Sequence, residues 1–257
     1  MSTAAEPGSP PAVIAARPFT ARVRAQARAE IGMTLRQGEQ LLVSVGIPLL
    51  LLVFFSVVHV LPVGDHPVRF LAPGVLALAV MSTAMVSLGI GTGFERGYGV
   101  LKRLGTTPLG RPALLAAKTL AVLAVEVIQL IVLVPVAVGL GWRPHLSVGV
   151  VVAAWLAGTV AFAGFGLLMA GTLRALANLA LTNGLYIVLL LLGGMVVPLH
   201  ELPGWLRALA RALPAAGLSD ALTHGLAGGA VPGRDWLVLG LWAVVTPLLA
   251  AMTFRWE

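Results

Sequence analysis

Six apolar stretches constrain this chain more than any other feature, because each is about as long as a helix that crosses a membrane. They lie at about residues 41–61, 70–93, 119–140, 146–170, 176–197 and 236–254. A transmembrane helix needs roughly 20 predominantly apolar residues. Charged residues make up only 11% of the 257 residues, whereas soluble domains average about 25%. The sequence therefore predicts an all-α membrane protein with six transmembrane helices.

Basic residues divide unevenly between the two sides of these spans. Twelve of the 17 lysines and arginines lie in the first 40 residues, in residues 94–118, in residues 171–178 and at the C-terminus. The alternate connections carry the other five. Because cytoplasmic flanks are enriched in Lys and Arg, this division predicts that both termini and the 94–118 connection are cytoplasmic.

The N-terminal 40 residues contain two different segments. Residues 1–16 are rich in Pro, Gly and Ser and lack a signal-peptide pattern, so we expect a flexible tail. Residues 17–40 predict an amphipathic helix, which lies either on the cytoplasmic membrane surface or against another protein. The apolar stripe comprises Val23, Ala27, Ile31 and Leu35, and the arginines mostly off it are Arg22, Arg24, Arg28 and Arg36.

The connection between the fifth and sixth spans, residues 198–235, also has helical periodicity. Apolar Trp205, Leu206, Leu209 and Leu213 fall on one face, opposite Arg207 and Arg211. Pro214 and Gly217 then interrupt the pattern, and Leu218–Leu226 is long enough for a second helix. We expect two short outer helices, re-entrant or capping, in this connection.

Enzyme chemistry finds no support in the sequence. Gly105–Pro112, GTTPLGRP, approaches the nucleotide-phosphate loop G-x-x-x-x-G-K-[ST], but Arg111 and Pro112 occupy the positions of the Lys and the Ser or Thr. No α/β domain surrounds it. The chain has no cysteine, and its five histidines lack metal-ligand spacing. We therefore predict that the chain is not an enzyme and holds no cofactor or metal.

The connection at residues 94–118 is longer than a tight turn and mixes basic with apolar residues. One interpretation is a docking element, in which Val100, Leu101 and Leu104 bury in a partner's groove while Lys102 and Arg103 meet acidic residues at its rim. The other is a cytoplasmic loop whose basic residues serve only as a topology signal.

Resemblance to a known protein family favours the docking interpretation of this connection. FERGYGVLKRLGTTPLGRPALLAAK, residues 94–118, resembles the first cytoplasmic loop of ABC type-2 permeases, the membrane subunits of ABC exporters. The matching positions are Glu95 and Arg96, Lys102 to Leu104, Thr107 to Leu109, and Lys118. Gly97, Tyr98 and Gly99 depart from the more usual run of Glu, Arg and Gly.

Two further blocks resemble the same family. Residues 184–222 are similar to its fifth span and the outer helices that follow, and FLAPG, Phe70–Gly74, is similar to the start of its second span. The matching positions in the longer block are Pro198, Leu202, Pro203, Trp205, Leu206 and Pro214. Together the blocks cover nearly the whole chain.

The resemblance implies an ABC exporter permease of a bacterial inner membrane, in contact with membrane lipid and binding no nucleic acid. A second permease subunit would pair with it, as a homodimer or a paralogous heterodimer. Each would seat a separate ABC ATPase subunit that holds the ATP and magnesium, and the loop would be the coupling helix. The ATPase-docking residues would be Glu95, Arg96, Lys102, Arg103, Leu104, Thr107, Pro108 and Arg111.

The cargo is less well defined. Short outer loops resemble exporters of hydrophobic or amphipathic substrates, drugs or lipids, which would imply drug efflux and antibiotic resistance. A glycan exporter of the same family and a membrane anchor for an ATPase that does not transport are the alternatives. A secondary transporter would show an internal repeat, and the two halves of this chain show none.

Polar residues inside the spans are candidates for the substrate path. Glu126 lies within the third span, where an ionisable group costs at least ~2.5 kcal/mol. One interpretation is that Glu126 contacts substrate or protons. The other is that it forms an interhelical hydrogen bond to Gln129 or to a neighbouring span. The others line a path or support helix packing. They are Ser82, Thr83 and Ser87 of the second span and Asn178, Thr182, Asn183 and Tyr186 of the fifth.

Overall fold

The structure, a computed structural model, describes residues 18–58 and 67–255. The predicted tail at residues 1–16 and the predicted end of the first span at residues 59–61 lie outside the described residues. Every regular element in the described ranges is helical. The α-helices are α1 Phe19–Arg36, α2 Gly38–Val57, α3 Pro67–Met81, α4 Leu88–Gly97, α5 Val100–Gly105, α6 Arg111–Gly139, α7 Val148–Thr172, α8 Ala175–Leu192, α9 Gly204–Ala210, α10 Pro214–Leu226 and α11 Gly233–Thr253, and a short 3-10 helix lies at Leu199–Glu201.

Six of these segments are long and apolar enough to cross a membrane, which confirms the predicted all-α, six-span fold. They are α2, the continuous Pro67–Gly97 segment, α6, α7, α8 and α11. Within Pro67–Gly97, a π-helical turn at Ser82–Ser87 joins α3 to α4. The largest difference from the sequence is at the third span, because α6 begins at Arg111 rather than near residue 119. Pro112 suits the first turn of a helix, where a missing N–H costs nothing.

Helix α7 packs between the second span and α11, and its small residues let these helices approach closely. A Cβ on Gly166 would lie 2.7 Å from the Met85 carbonyl oxygen in the π-helical turn. A Cβ on Gly164 would lie 2.2 Å from Thr246 Oγ1 of α11. Small residues at such crossings are typical of helices packed within a membrane. The second span is consequently mostly buried.

The helices α2, α8 and α11 form the periphery and present apolar side chains outward. Leu42, Leu176 and Leu237 are each about three-quarters exposed. Surfaces of this kind are unfavourable in water and suit contact with lipid or with another membrane helix.

Two short helices, α9 and α10, connect α8 to α11, as predicted, and they differ in burial. Helix α10 inserts into the core, where Leu218 and Ala221 are fully buried. Helix α9 leaves Trp205 73% exposed and Leu209 half exposed. Half of the predicted apolar face, Trp205 and Leu209, is thus left exposed, whereas Leu206 and Leu213 are partly buried.

The N-terminal helix α1 packs against the chain's own α6. Val23 and Ala27, half of the predicted stripe, are buried with Leu114 of α6 in one apolar cluster. Leu35 is exposed. The stripe therefore faces protein at its first half, and the position of α1 at a membrane surface stays a prediction. We call the end of the bundle that carries α1 and α5 the α5 end, and the opposite end the α10 end.

Candidate functional site at the α5 end of the bundle

The connection from α4 to α6 contains one short helix between two glycine-dependent turns. Gly99 has φ 75° just before α5, and Gly110 has φ 74° just before α6. Left-handed backbone is readily adopted by glycine and is costly for residues with a Cβ. The sequence thus places a glycine at each point where the chain changes direction, and α5 stands out as a separate element.

Helix α5 has one face fixed to the bundle and one face exposed. Leu101 is 0% exposed and Leu104 is half-buried, and both pack with the α1–α6 cluster. Lys102 and Arg103 are exposed on the other side. The sequence interpretation buried Leu101 in a partner, whereas the structure buries it in the chain's own core. Leu101 therefore anchors α5, and the exposed surface is mainly basic.

Side chains also fix the backbone that follows α5. The hydroxyls of Thr106 and Thr107 donate hydrogen bonds to the carbonyl oxygens of Arg103 at 2.8 Å and of Leu104 at 2.6 Å. Arg22 of α1 donates from Nη1 to the carbonyl oxygen of Pro108 at 2.6 Å. Carbonyls at a helix end lack intrahelical partners, and these donors satisfy them. These hydrogen bonds connect the turn to α1 and to the end of α5.

A buried ion cluster joins α1, α4 and α6 directly behind this turn. Lys118 of α6 is 2% exposed. Its Nζ lies 3.1 Å from Glu30 Oε2 of α1 and 2.7 Å from Glu95 Oε2 of α4. Gln26 Nε2 donates to the other Glu30 oxygen at 2.9 Å. Removing one member of such a cluster leaves charge buried without a partner, which is strongly unfavourable. The three helices are therefore held in one arrangement.

Arg96, the neighbour of Glu95, ties α4 to another part of the bundle. Its Nη2 donates a hydrogen bond to the carbonyl oxygen of Leu173, in the connection between α7 and α8. Glu95 and Arg96 together thus link the end of the second span to α6 and to the connection between α7 and α8.

The predicted docking residues fall into two groups. Five are exposed at the α5 end, and they are Lys102, Arg103, Thr107, Pro108 and Arg111. Glu95, Arg96 and Leu104 are partly buried and bonded or packed within the chain. The first group forms an accessible surface, and the second holds that surface in place.

Glu126 lies in the middle of α6 and bonds to α7 rather than to Gln129. Its Oε2 accepts hydrogen bonds from Trp155 Nε1 at 2.7 Å and from Thr159 Oγ1 at 2.6 Å. Its Oε1 is buried with no hydrogen-bond partner among the described residues. The interhelical hydrogen bond that the sequence offered as one interpretation is present, and its partner is the neighbouring span α7.

Gln129 instead joins three spans. Its Nε2 donates to the Ser44 carbonyl oxygen of α2 at 2.8 Å and to Thr83 Oγ1 of the π-helical turn at 3.0 Å. A π-helical turn often marks a functional position in a helix. Ser82, Thr83 and Ser87 all lie on this turn.

The polar residues of the fifth span divide between packing and surface. Asn178 Nδ2 donates to the Gly89 carbonyl oxygen at 2.8 Å, and Thr182 Oγ1 donates to Asn178 Oδ1 at 3.1 Å. Both are buried. Asn183 is exposed, and Tyr186 is half-buried. The structure thus brings Asn178 and Thr182 against the second span and does not gather all eight path candidates in one place.

A family comparison agrees with this architecture. The family model described as ABC-2 type transporter matches residues 22–226, from α1 through α10. The chain belongs to the ABC-2 type transporter family. A search of curated proteins found no match. Membership makes the chain a multi-pass transporter permease subunit, whose membrane domain is not catalytic. In this family, ATP hydrolysis belongs to separate ABC ATPase subunits.

Several residues of this ABC-2 permease site were not singled out from the sequence. Glu30 is the clearest, because it lies seven residues after Val23 on the side of α1 that faces α6. An acidic residue on the buried side of a basic helix indicates a buried cation opposite, here Lys118. Trp155 and Thr159 gave no such signal, since their role depends on how α6 and α7 pack.

Proposed function

We propose that this chain is the permease subunit of an ATP-driven exporter of a hydrophobic or amphipathic substrate, drug-like or lipid-like. The carrying observation is α5, a short helix with an exposed basic face, which is braced by buried contacts to the second and third spans. A docking element has to be accessible to its partner and firmly connected to the element that it moves. Helix α5 meets both requirements.

In this proposal an ABC ATPase binds the exposed residues of α5 and of the turn that follows. Lys102 and Arg103 meet acidic side chains, and Pro108 adds an apolar contact. ATP and magnesium stay in the ATPase. When the ATPase moves, Leu101 and the Lys118 cluster carry the displacement into α4 and α6, because both are buried and hold several helices together. In this proposal α1, α5 and α6 move as one unit.

The orientation and assembly of the complex are part of the same proposal. The twelve-to-five division of Lys and Arg supports cytoplasmic termini in a bacterial inner membrane. The exposed apolar faces of α2, α8 and α11 leave room for a second permease subunit, so we expect two permeases and two ATPases. The exported molecule would accordingly leave from the α10 end.

The experiment that tests this proposal reverses charge on α5. Lys102→Glu with Arg103→Glu leaves the buried anchors Leu101 and Leu104 intact, so the variant should insert and fold. Its co-purification with the ATPase and its ATP-dependent transport should fall at least tenfold. The control reverses two exposed arginines at the α10 end, Arg143→Glu with Arg211→Glu, and should leave ATPase binding unchanged.

Other outcomes would select the alternatives. Wild-type binding and transport in the α5 variant would mean that this loop is only a topology signal. Wild-type protein that binds ATPase but moves no substrate would favour a membrane anchor. Transport of a lipid-linked glycan, with none of a hydrophobic drug, would favour a glycan exporter.

A further inference from the structure

A cavity of about 290 Å³ opens at the α5 end between α1, the start of α2, α4 and α6. Small-molecule sites usually begin at about 300 Å³, so the cavity lies at the lower end of that range and suits a compact organic ligand. It lies within a single subunit, beside the Lys118 cluster. Two of the eight predicted path residues, Thr83 and Ser87, line it.

The charge of the cavity is negative. Among the described residues, the charged side chains that line it are Glu30, Glu95 and Lys118. Two carboxylates therefore face one ammonium, which leaves a formal charge of −1. The nearby arginine Arg96 is directed to Leu173 instead. The cavity therefore has one negative charge that a bound cation can neutralise.

A buried hydroxyl in the same wall has no partner. Thr92 lines the cavity, is 1% exposed, and its Oγ1 makes no hydrogen bond to any described residue. A buried polar group without a hydrogen-bond partner is unfavourable, because it has lost its contact with water. A ligand in the cavity with a polar group at this position would remove that cost.

Two aromatic rings stand at the side of the cavity. Phe94 and Tyr98 stack with ring centroids 6.0 Å apart, and both line the cavity. Tyr98 is 78% exposed, so its ring is accessible from outside. The faces of aromatic rings attract organic cations, most strongly where water is excluded. The apolar part of the remaining wall includes Leu41, Leu88 and Val125, and the rest of it carries neutral polar side chains such as Gln37, Gln40 and Ser44.

We propose that this cavity binds an organic cation, a substituted ammonium group carried on an apolar body. The carboxylates and the aromatic faces recognise the charge, and the apolar wall receives the body. That the cation is the exported substrate rests on the proposed function, whereas binding itself does not require the ATPase. The ammonium group belongs either to a free amphipath or to the headgroup of a membrane lipid.

The test uses the permease alone, in nanodiscs of phosphatidylglycerol, with empty discs subtracted. The probe is phenyltrimethylammonium, and its comparison is tert-butylbenzene, which has the same shape without the charge. We expect the cation to bind at least tenfold more tightly than the neutral compound. If phosphatidylcholine added to the discs displaces the probe, the natural occupant is a lipid headgroup. If it does not, the occupant is a free cation.

Matched variants localise the site. Gln40→Lys adds one positive charge at a residue that lines the cavity, and it should weaken probe binding about tenfold. Glu39→Gln changes the net charge equally at the adjacent exposed residue, which does not line the cavity, and should leave binding unchanged. Thr92→Val keeps the shape and leaves the ion cluster intact. It should weaken the binding of protonated benzyldimethylamine, whose N–H can donate to the Thr92 hydroxyl, several-fold more than that of phenyltrimethylammonium, which has no N–H.

The proposal is overturned if tert-butylbenzene binds as tightly as the cation, or if Gln40→Lys and Glu39→Gln have the same effect. Either result leaves the α5 docking experiment unaffected, because that experiment measures ATPase association. Conversely, loss of docking in the α5 variant together with absent probe binding would retain the exporter and reject this cavity.

Discussion

Lys118 and Glu126 are buried ionisable residues on the same helix, α6, about 12 Å apart along its axis. Their bonding partners differ in kind. Lys118, near the α5 end, has two carboxylates within 3.1 Å, from α1 and α4. Glu126, in the middle of the span, has no ion pair among the described residues and accepts two hydrogen bonds from α7. One oxygen of its carboxyl group has no hydrogen-bond partner in the described part of the chain.

The difference shows what each residue does for the fold. Ion pairs act between separate elements, and the Lys118 cluster determines how α1 and α4 sit against α6. Neutral donors hold Glu126 locally between two adjacent spans. A charged side chain near the end of a span lies close to water, whereas a charged side chain in the middle of the span carries a large free-energy cost. We therefore expect loss of the Lys118 cluster to affect the whole α5 end and loss of Glu126 to affect one helix contact.

The largest effect should follow from Lys118→Met. The substitution keeps most of the side-chain volume and leaves Glu30 and Glu95 buried without their cation, which typically costs about 3–5 kcal/mol. The free energy of unfolding, measured by dodecyl sulfate titration and tryptophan fluorescence, should fall by about that amount.

A control separates lost packing from stranded charge. The triple variant Lys118→Met, Glu30→Gln, Glu95→Gln removes all three charges together and should regain most of the lost stability. Equal destabilisation of the single and triple variants would mean that the charges do not determine this end of the bundle.

A smaller effect is expected at Glu126. Glu126→Gln retains an acceptor for Trp155 and Thr159 and should stay within about 1 kcal/mol of the wild type. Glu126→Leu strands the Trp155 N–H, because Thr159 alone has a second acceptor in the Trp155 carbonyl, and should cost about 1–3 kcal/mol. The same titration measures both. A Gln variant that is fully stable and yet fails in transport would show that the carboxyl group has a functional role as well.

The smallest effect should come from Arg22→Gln. Arg22 is partly exposed and bonds to backbone oxygens of Pro108 and Leu109, contacts worth about 1 kcal/mol or less at a surface. Global stability should hardly change, while amide hydrogen exchange at residues 106–110 should accelerate. Unchanged exchange there would mean that Leu101 and the Lys118 cluster hold the turn without help from α1.

The sequence predicted the spans and the two short helices well, because both depend on local apolar periodicity. It predicted the partners of polar residues poorly. Glu126 has an acceptor group that any neighbouring span can satisfy, and only the packing of α7 selects Trp155. Leu101 and Leu104 looked equally available for a partner, since periodicity shows that a face is apolar without showing what covers it. The sequence places Lys118 in a motif, but its role in a buried ion cluster depends on Glu30 and Glu95, which only the fold brings beside it.

A distance measurement tests whether α1, α5 and α6 move as one unit. The chain has no cysteine, so spin labels can be placed at Arg28→Cys on α1 and Gly105→Cys on α5, both exposed. Double electron–electron resonance would be recorded on the complex with its ATPase, with and without ATP. We predict one narrow distance distribution, unchanged by ATP, that broadens when Lys118→Met is added. A distance that shifts with ATP in the otherwise unmodified chain would contradict their movement as one unit.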